Sequence, residues 1–378
     1  MKYNPGHFQP NVWQRITKII SSNRIGSAYL FSGPEGTGKE AAALAFSAAL
    51  NCQGNEIICG SCSSCVRFSS LQHEHLHVIV PLPRKKANFD KDTDVLSIIG
   101  DDNAALLTDL LQKKGTDPFQ KINIPRAKRI LINSIRELRK KLYLKSVDSG
   151  YKMVLIFDAH CLSDGDGASA NALLKLLEEP PKKTTVILVT DYKSMLLSTI
   201  QSRCQQIDFP PISHDIVSTY LTDRGIHSGE AEFYANLADG NIHKARFLAD
   251  RTVAEILKTM KDQVEAVVNS NGDGWRSYIN NMSRMVRSDP NNFKFHLFLL
   301  QTWFQQSVRF RQNISSPLAQ NGFEEALKTF TTSYPQANLT TANSVIETTI
   351  ASIDRNFYMP LTLTNMLIDI QHYLKGKA

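Results

Sequence analysis

Four cysteines are concentrated in a short segment near the start of the chain. Cys52, Cys59, Cys62 and Cys65 follow the spacing C-x6-C-x2-C-x2-C. Four thiolates complete the tetrahedral coordination of Zn²⁺ and leave no position open for water, so the pattern predicts a structural zinc site. An iron–sulfur cluster and free thiols are the alternatives. The chain's other two cysteines lie outside this segment, and we expect them to be packed thiols.

A glycine-rich loop follows an apolar run and opens an alanine-rich segment. Its chemistry-bearing residues are Gly33, Gly36, Gly38 and Lys39. In a strand–loop–helix context such glycines let backbone N–H groups surround a phosphate, and the lysine adds a full positive charge. The next position normally supplies a hydroxyl that ligates Mg²⁺, but this chain has Glu40, which would repel a triphosphate. We predict that the loop keeps its shape and holds no nucleotide, with Lys39 neutralised by Glu40 or Asp158.

A second apolar run, Val154–Phe157, ends in Asp158. A carboxylate at the end of a strand is suited to the shell of a Mg²⁺ ion. An ATPase of this kind normally has a glutamate directly afterwards to polarise water, and here the residue is Ala159. The metal hydroxyl and the base are therefore both missing, which predicts a site without hydrolytic activity.

Arg203 stands between a predicted helix and the last predicted strand, in the sequence Ser202-Arg203-Cys204. A guanidinium held there could stabilise a phosphate bound by a neighbouring subunit. The alternative is a solvated or ion-paired surface arginine.

Positive charge is concentrated between Lys121 and Lys152, which contain ten basic and two acidic residues, whereas the whole chain has a net charge of +7. We predict a basic helix over residues 126–145. Its face carrying Arg126, Arg129, Arg136 and Lys140 could follow a nucleic-acid backbone without reading sequence. A solvated helix face is the alternative.

These residues must be positioned by an α/β domain. Short apolar runs predict parallel strands over 28–31, 77–82, 153–157, 185–190 and 206–209, and helical patterns lie between them. After about residue 210 only helical patterns continue, the most apolar over 293–310. We interpret residues 83–120 as a surface insertion with one amphipathic helix over 103–112.

The composition, 42% hydrophobic and 21% charged, is that of an ordinary folded protein and argues against a disordered or fibrous chain. Basic residues interrupt the N-terminal region, and no uncharged apolar run approaches about 18 residues. We expect a cytoplasmic protein of two or three domains.

Together these features resemble the clamp-loader branch of the AAA+ superfamily, and within it the delta-prime family of the bacterial DNA polymerase III clamp loader. The matching segments are residues 27–34 leading into the glycine-rich loop, the four-cysteine insert, residues 171–181, Thr190, residues 202–204 and residues 240–245. Residues 353–356 and the apolar helix after Pro360 match more weakly.

The resemblance implies a P-loop AAA+ α/β domain over 1–210, a helical lid over 211–255 and an all-α collar over 256–378. It gives Thr190 and Lys244 the two sensor positions of the nucleotide site, although arginine is usual at the second. The insertion is longer than we expect for the family.

The resemblance also implies a non-hydrolysing subunit that works with gamma or tau and delta subunits, the sliding clamp and primer-template DNA. In that role Arg203 serves the ATP of a neighbouring subunit, and no ATP or Mg²⁺ is expected in the chain's own site. The alternative is a gamma- or tau-type motor, which should carry Thr or Ser at position 40 and Glu at position 159. A P-loop kinase is a third class, but nothing beyond the loop favours it.

Overall fold

The computed structural model describes residues 5–84, 93–144, 150–165, 167–269, 272–314, 318, 322–353 and 357–376. Five strands form one parallel sheet: β1 (Ala28–Ser32), β2 (Leu76–Ile79), β3 (Lys152–Ile156), β4 (Thr184–Thr190) and β5 (Gln205–Asp208). Their order across the sheet is β2-β3-β4-β1-β5. The carboxyl ends of all five strands therefore meet at one edge.

Both faces of the sheet are covered, which explains why its strands lack polar alternation. Along β1, Tyr29 and Phe31 pack into one core with Phe46, whereas Leu30 packs into a second core on the other face with Leu138. All five residues of β1 are buried.

The helices of the first part of the chain are α1 (Pro5–Phe8), α2 (Pro10–Ser21), α3 (Lys39–Leu50), α4 (Ser63–Ser69), α5 (Val95–Ile99), α6 (Asp101–Thr116), α7 (Ile132–Tyr143), α8 (Ala168–Glu178) and α9 (Ser198–Gln201). Those that follow the sheet are α10 (His214–Thr222), α11 (Ser228–Ala238), α12 (Ile242–Ala249), α13 (Val253–Val268), α14 (Gly272–Ser288), α15 (Pro290–Arg311), α16 (Phe323–Ser333), α17 (Leu339–Ser352) and α18 (Met359–Leu374). The α/β fold followed by helices is as predicted.

The chain divides into two units. The first comprises Met1–Val217 with Asp239–Lys244 and contains the sheet. The second comprises Ser218–Ala238 with Ala245–Ala378, and in it α15 packs against α13, α14, α16 and α17 through buried residues such as Phe293 and Phe304. The boundaries at 210 and 255 that the sequence suggests for a lid and a collar stay predictions.

The basic helix differs from its prediction. Arg126 has a positive φ of 65°, and the chain stays non-helical up to Leu131, whose ψ is 138°. The backbone of Arg129 instead pairs with Leu82 in an isolated bridge. The helix therefore begins at Ile132, and Arg126 and Arg129 precede it. The predicted C-terminal end of the helix, residue 145, lies outside the described residues.

Three other predictions need correction or lie in part beyond the described ranges. The predicted strand over 77–82 ends at Ile79, shortly before Pro81, which has no N–H to donate to a sheet. Residues 354–356 of the weaker C-terminal match, and residues 85–92 of the insertion, are not among the described residues. Within the described ranges, no helix combines the length and apolar character that crossing a membrane requires.

Candidate functional site

The glycine-rich loop connects β1 to α3 at the carboxyl edge of the sheet. Gly36 has a φ of 73°, and a Cβ atom there would lie 1.9 Å from the side-chain oxygen of Asn241. Gly38, with a φ of 81°, forms the N-cap of α3. The backbone oxygen of Gly36 accepts a hydrogen bond of 3.0 Å from the N–H of Ile242. Position 36 therefore requires glycine, both for its backbone conformation and for the close approach of Asn241.

The loop contributes to a pocket lined by Glu35, Gly36, Thr37, Gly38, Lys39, Glu40, Ala41, Pro118, Phe119, Lys121, Asp158, Val189, Thr190, Asp191 and His243. Five of the predicted nucleotide-site residues line this pocket: Gly36, Gly38, Lys39, Asp158 and Thr190. Gly33 and Lys244 do not, and His243 lines it in place of Lys244.

Lys39 is almost completely buried, and its ammonium group is held within the loop. It donates to the backbone oxygen of Gly33 at 2.8 Å, to that of Pro34, and to the Thr37 hydroxyl at 3.2 Å. It also forms an ion pair of 2.7 Å with Asp191. The prediction that Glu40 or Asp158 neutralises Lys39 was wrong, because Asp191, directly after β4, is its ion-pair partner.

Glu40 has a partner of its own from the insertion. Its carboxylate forms an ion pair with Lys114, whose side chain is 0% exposed. The Lys114 ammonium group also donates to the backbone oxygens of Pro118 at 3.1 Å and Gln120 at 2.7 Å. The glutamate at the position of the Mg²⁺-binding hydroxyl is therefore neutralised by the chain itself.

A third lysine, Lys121, connects Asp191 to one further carboxylate of the pocket. Lys121 lies 3.0 Å from Glu35 and 3.3 Å from Asp191. Burial lowers the pKa of Lys121, but Glu35, Asp158 and Asp191 outweigh burial and hold it above its ordinary value. Lys121 is charged under all ordinary conditions.

Asp158 follows β3 and adopts a left-handed backbone conformation, with φ 47°. Burial, reinforced by nearby carboxylates and opposed by Lys121, raises the pKa of Asp158 to about 6. The residue after Asp158 is Ala159, which carries no carboxylate and is 0% exposed. The Thr190 hydroxyl is bonded to His160 at 3.1 Å and accepts from the N–H of Tyr192 at 3.0 Å.

The four carboxylates that line the pocket, those of Glu35, Glu40, Asp158 and Asp191, are thus matched by three ammonium groups: those of Lys39 and Lys121 in the lining and that of Lys114 beside Glu40. The pocket has no surplus of positive charge for a polyphosphate. Sequence reasoning missed Glu35, Lys114 and Asp191 and counted Lys121 only as part of the basic segment. Their pairing depends on the insertion folding onto the loop, which no local pattern reveals.

The four cysteines form a separate cluster. Their sulfur atoms lie within 4.8 Å of one another, and a tetrahedral zinc ion with Zn–S bonds of about 2.3 Å holds its sulfurs about 3.8 Å apart. All six cysteines, which lie within the described ranges, are free thiols. The cluster can therefore bind a metal ion such as zinc.

Backbone N–H groups favour thiolates in this cluster. The N–H groups of Cys62 and Ser61 lower the pKa of Cys59 to about 6, and Cys62 also forms the N-cap of α4, its sulfur accepting from the N–H of Cys65. Burial instead raises the pKa of Cys65 to about 12. A bound cation would reverse that effect by stabilising the charged sulfur.

The other predicted functional residues lie away from the pocket lining. Arg203 lies between α9 and β5, as predicted, and its guanidinium donates to Glu178 at 2.8 Å and to the backbone oxygen of Thr199 at 3.0 Å. Of the four residues predicted to follow a nucleic-acid backbone, Arg126, Arg129 and Lys140 are exposed and Arg136 is half-buried.

Comparison with known proteins bears on this arrangement. The family model described as "DNA polymerase III, delta subunit" matches residues 8–213. DNA polymerase III subunit delta' of Bacillus subtilis is 31% identical over 232 residues, which cover 61% of this chain and 56% of that protein. Subunit tau of the same organism is 29% identical over 272 residues, 68% of this chain and 40% of that protein.

The chain spans about half or less of the length of these two curated relatives. A solved gamma subunit-related protein of Thermotoga maritima aligns over 95% of this chain and 99% of its own, at 14% identity and a TM-score of 0.41. The family model alone covers more than half of the chain. The chain therefore belongs to the DNA polymerase III delta subunit family.

Proposed function

We propose that the chain is a non-hydrolysing subunit of the DNA polymerase III clamp loader. The observation that carries this proposal is the buried Ala159 after Asp158, where an ATPase needs a carboxylate to activate water. Glu40 also supports the proposal, because it stands in place of the hydroxyl that would ligate Mg²⁺ and is held in an ion pair with Lys114.

Arg203 would act on a neighbouring subunit. Its side chain is 38% exposed and its ion pair with Glu178 lies at the surface. Exposed pairs of this kind contribute about 0–1 kcal/mol, so the guanidinium can exchange Glu178 for a phosphate oxygen. At a phosphoryl-transfer site such an arginine raises the rate about 10³- to 10⁵-fold.

The proposed partners are gamma or tau and delta subunits, the sliding clamp and primer-template DNA. The DNA backbone would be contacted by Arg129, Arg136 and Lys140. Each phosphate that a basic side chain neutralises releases counter-ions, which favours binding. Zinc is the proposed occupant of the four-cysteine cluster, where four thiolates leave it no open position for catalysis.

A gamma- or tau-type motor is the second candidate, favoured by the 29% identity to subunit tau. The two candidate functions predict different effects of Lys39→Ala on ATP hydrolysis. For the motor, Lys39→Ala should abolish the ATPase activity of the assembled complex. For the non-hydrolysing subunit, Lys39→Ala should leave that activity unchanged, because the hydrolysed ATP lies elsewhere.

Single-turnover ATP hydrolysis by a reconstituted loader tests the role of Arg203. Arg203→Ala should slow ATP hydrolysis in the neighbouring subunit's pocket about 10³-fold, while the complex still assembles. Arg67→Ala is a matched control, because Arg67 forms an ion pair of the same 2.8 Å length with Glu74 and is 43% exposed. Equal kinetics for both variants would contradict the proposal.

A further inference from the structure

The end of the insertion lies against the glycine-rich loop. The eight residues from Lys114 to Lys121, here called the strap, comprise the last residues of α6 and the coil that follows. Pro118, Phe119 and Lys121 line the pocket described above. The strap therefore occupies the surroundings of a phosphate-binding loop, where a nucleotide would otherwise have access.

One end of the strap is fixed by a buried charge. The Lys114 ammonium group has three N–H bonds and three acceptors: Glu40 and the backbone oxygens of Pro118 and Gln120. A wholly buried lysine is tolerated only when it is paired and hydrogen-bonded. This requirement holds the strap in one position against Glu40.

The other end of the strap engages two acidic residues of the pocket lining. Lys121 bridges Glu35 and Asp191, and Asp191 in turn pairs with Lys39. The acceptors around Lys39 already use its three protons. A phosphate could reach Lys39 only if these contacts broke and the freed carboxylates moved away.

Two packing contacts anchor the strap from outside. Phe119 is 5% exposed and meets the ring of Phe8 edge-on, with 4.9 Å between the ring centroids. Gly115 lies against the end of α4, where a Cβ atom would come within 3.0 Å of the backbone oxygen of Ser69. The same helix carries Cys65 of the four-cysteine cluster.

We propose that the strap is an internal ligand of the glycine-rich loop that keeps nucleoside triphosphates out. Its two lysines supply the counter-charges that Mg²⁺ would otherwise bring to Glu40 and to the neighbouring carboxylates. The insertion thereby has a role in closing the site. This inference concerns the isolated chain and stands whether or not Arg203 serves a neighbouring subunit.

Binding of a fluorescent ATP analogue with Mg²⁺ to the full-length chain tests the proposal. The double variant Glu40→Thr with Lys114→Met removes both charges of the buried pair, restores a hydroxyl and leaves Lys121 paired with its carboxylates. We expect at least tenfold tighter binding for the double variant than for the natural chain. Lys113→Met is the control, since Lys113 is adjacent on α6 but 59% exposed, and it should leave binding unchanged.

A folded double variant that binds no tighter than the natural chain would overturn the proposal. A second measurement needs no variant: acetylation of the natural chain by an amine-reactive reagent, with and without Mg²⁺-ATP. Lys114 should react at least tenfold more slowly than Lys113, and the ratio should not change with Mg²⁺-ATP. Equal reactivity, or exposure of Lys114 by Mg²⁺-ATP, would likewise refute it.

Discussion

Removing the counter-ion of Glu40 should destabilise the sheet-containing unit strongly. Lys114→Met leaves the Glu40 carboxylate without its buried partner, and breaking a buried ion pair from one side costs about 3–5 kcal/mol. Glu40 retains 18% side-chain exposure, so water solvates it in part and the lower end of that range applies. We expect the free energy of unfolding to fall by about 3 kcal/mol.

Hydrogen exchange of peptides from α3 measures this loss in the relevant unit. At about 1.4 kcal/mol per tenfold change, exchange of the most protected amides should accelerate more than a hundredfold. Lys113→Met should change the free energy by less than about 0.5 kcal/mol, because the 2.7 Å pair between Lys113 and Asp109 is exposed.

A double-mutant cycle separates the ion pair from the packing of the Lys114 side chain. Lys114→Met combined with Glu40→Gln should be closer to the natural chain than either single variant, with a coupling energy of about 2 kcal/mol. Additive single effects, or a Lys114→Met variant as stable as Lys113→Met, would refute the reasoning.

Three further perturbations have defined outcomes. Cys65→Ser should reduce bound zinc, measured by atomic absorption, from one ion per chain to a small fraction and destabilise the chain by at least about 3 kcal/mol; undiminished zinc would count against a four-thiolate site. Because the raised pKa of Asp158 makes the folded chain bind more protons than the unfolded chain between about pH 4 and 6, its contribution to stability falls as pH rises through that window. Asp158→Asn should therefore stabilise the chain by about 1–3 kcal/mol in urea unfolding at pH 8 and hardly at pH 4, and an equal effect at both pH values would contradict the burial argument. Replacing Arg129, Arg136 and Lys140 by alanine should reduce the slope of log affinity for primer-template DNA against log salt by about 2–3, whereas an unchanged slope would make the surface merely solvated.

The sequence predicts the strands of the sheet closely, for local reasons. The alanine-rich segment after the glycine-rich loop forms α3, because alanine has the highest helix propensity of the amino acids. The strands are uniformly apolar because the sheet is covered on both faces, and each begins within one residue of its prediction. The start of α7 was predicted six residues too early. Apolar residues recur at helical spacing from Ala127 to Leu142, although the backbone from Arg126 to Leu131 is not helical.

The electrostatics of the pocket could not be predicted in the same way. Lys114 resembles any basic residue in the last turn of an amphipathic helix, and its complete burial results from long-range contacts with Glu40. The sequence shows that Glu40 conflicts with a nucleotide, but the resolution of that conflict by a lysine 74 positions away appears only in the fold.

Phosphate release by the purified chain alone, with saturating ATP and Mg²⁺, tests the central claim most directly. With Ala159 in the place of a base and Glu40 paired to Lys114, we expect no release above that of buffer without protein. Steady Mg²⁺-dependent release that Lys39→Ala abolishes would contradict the account.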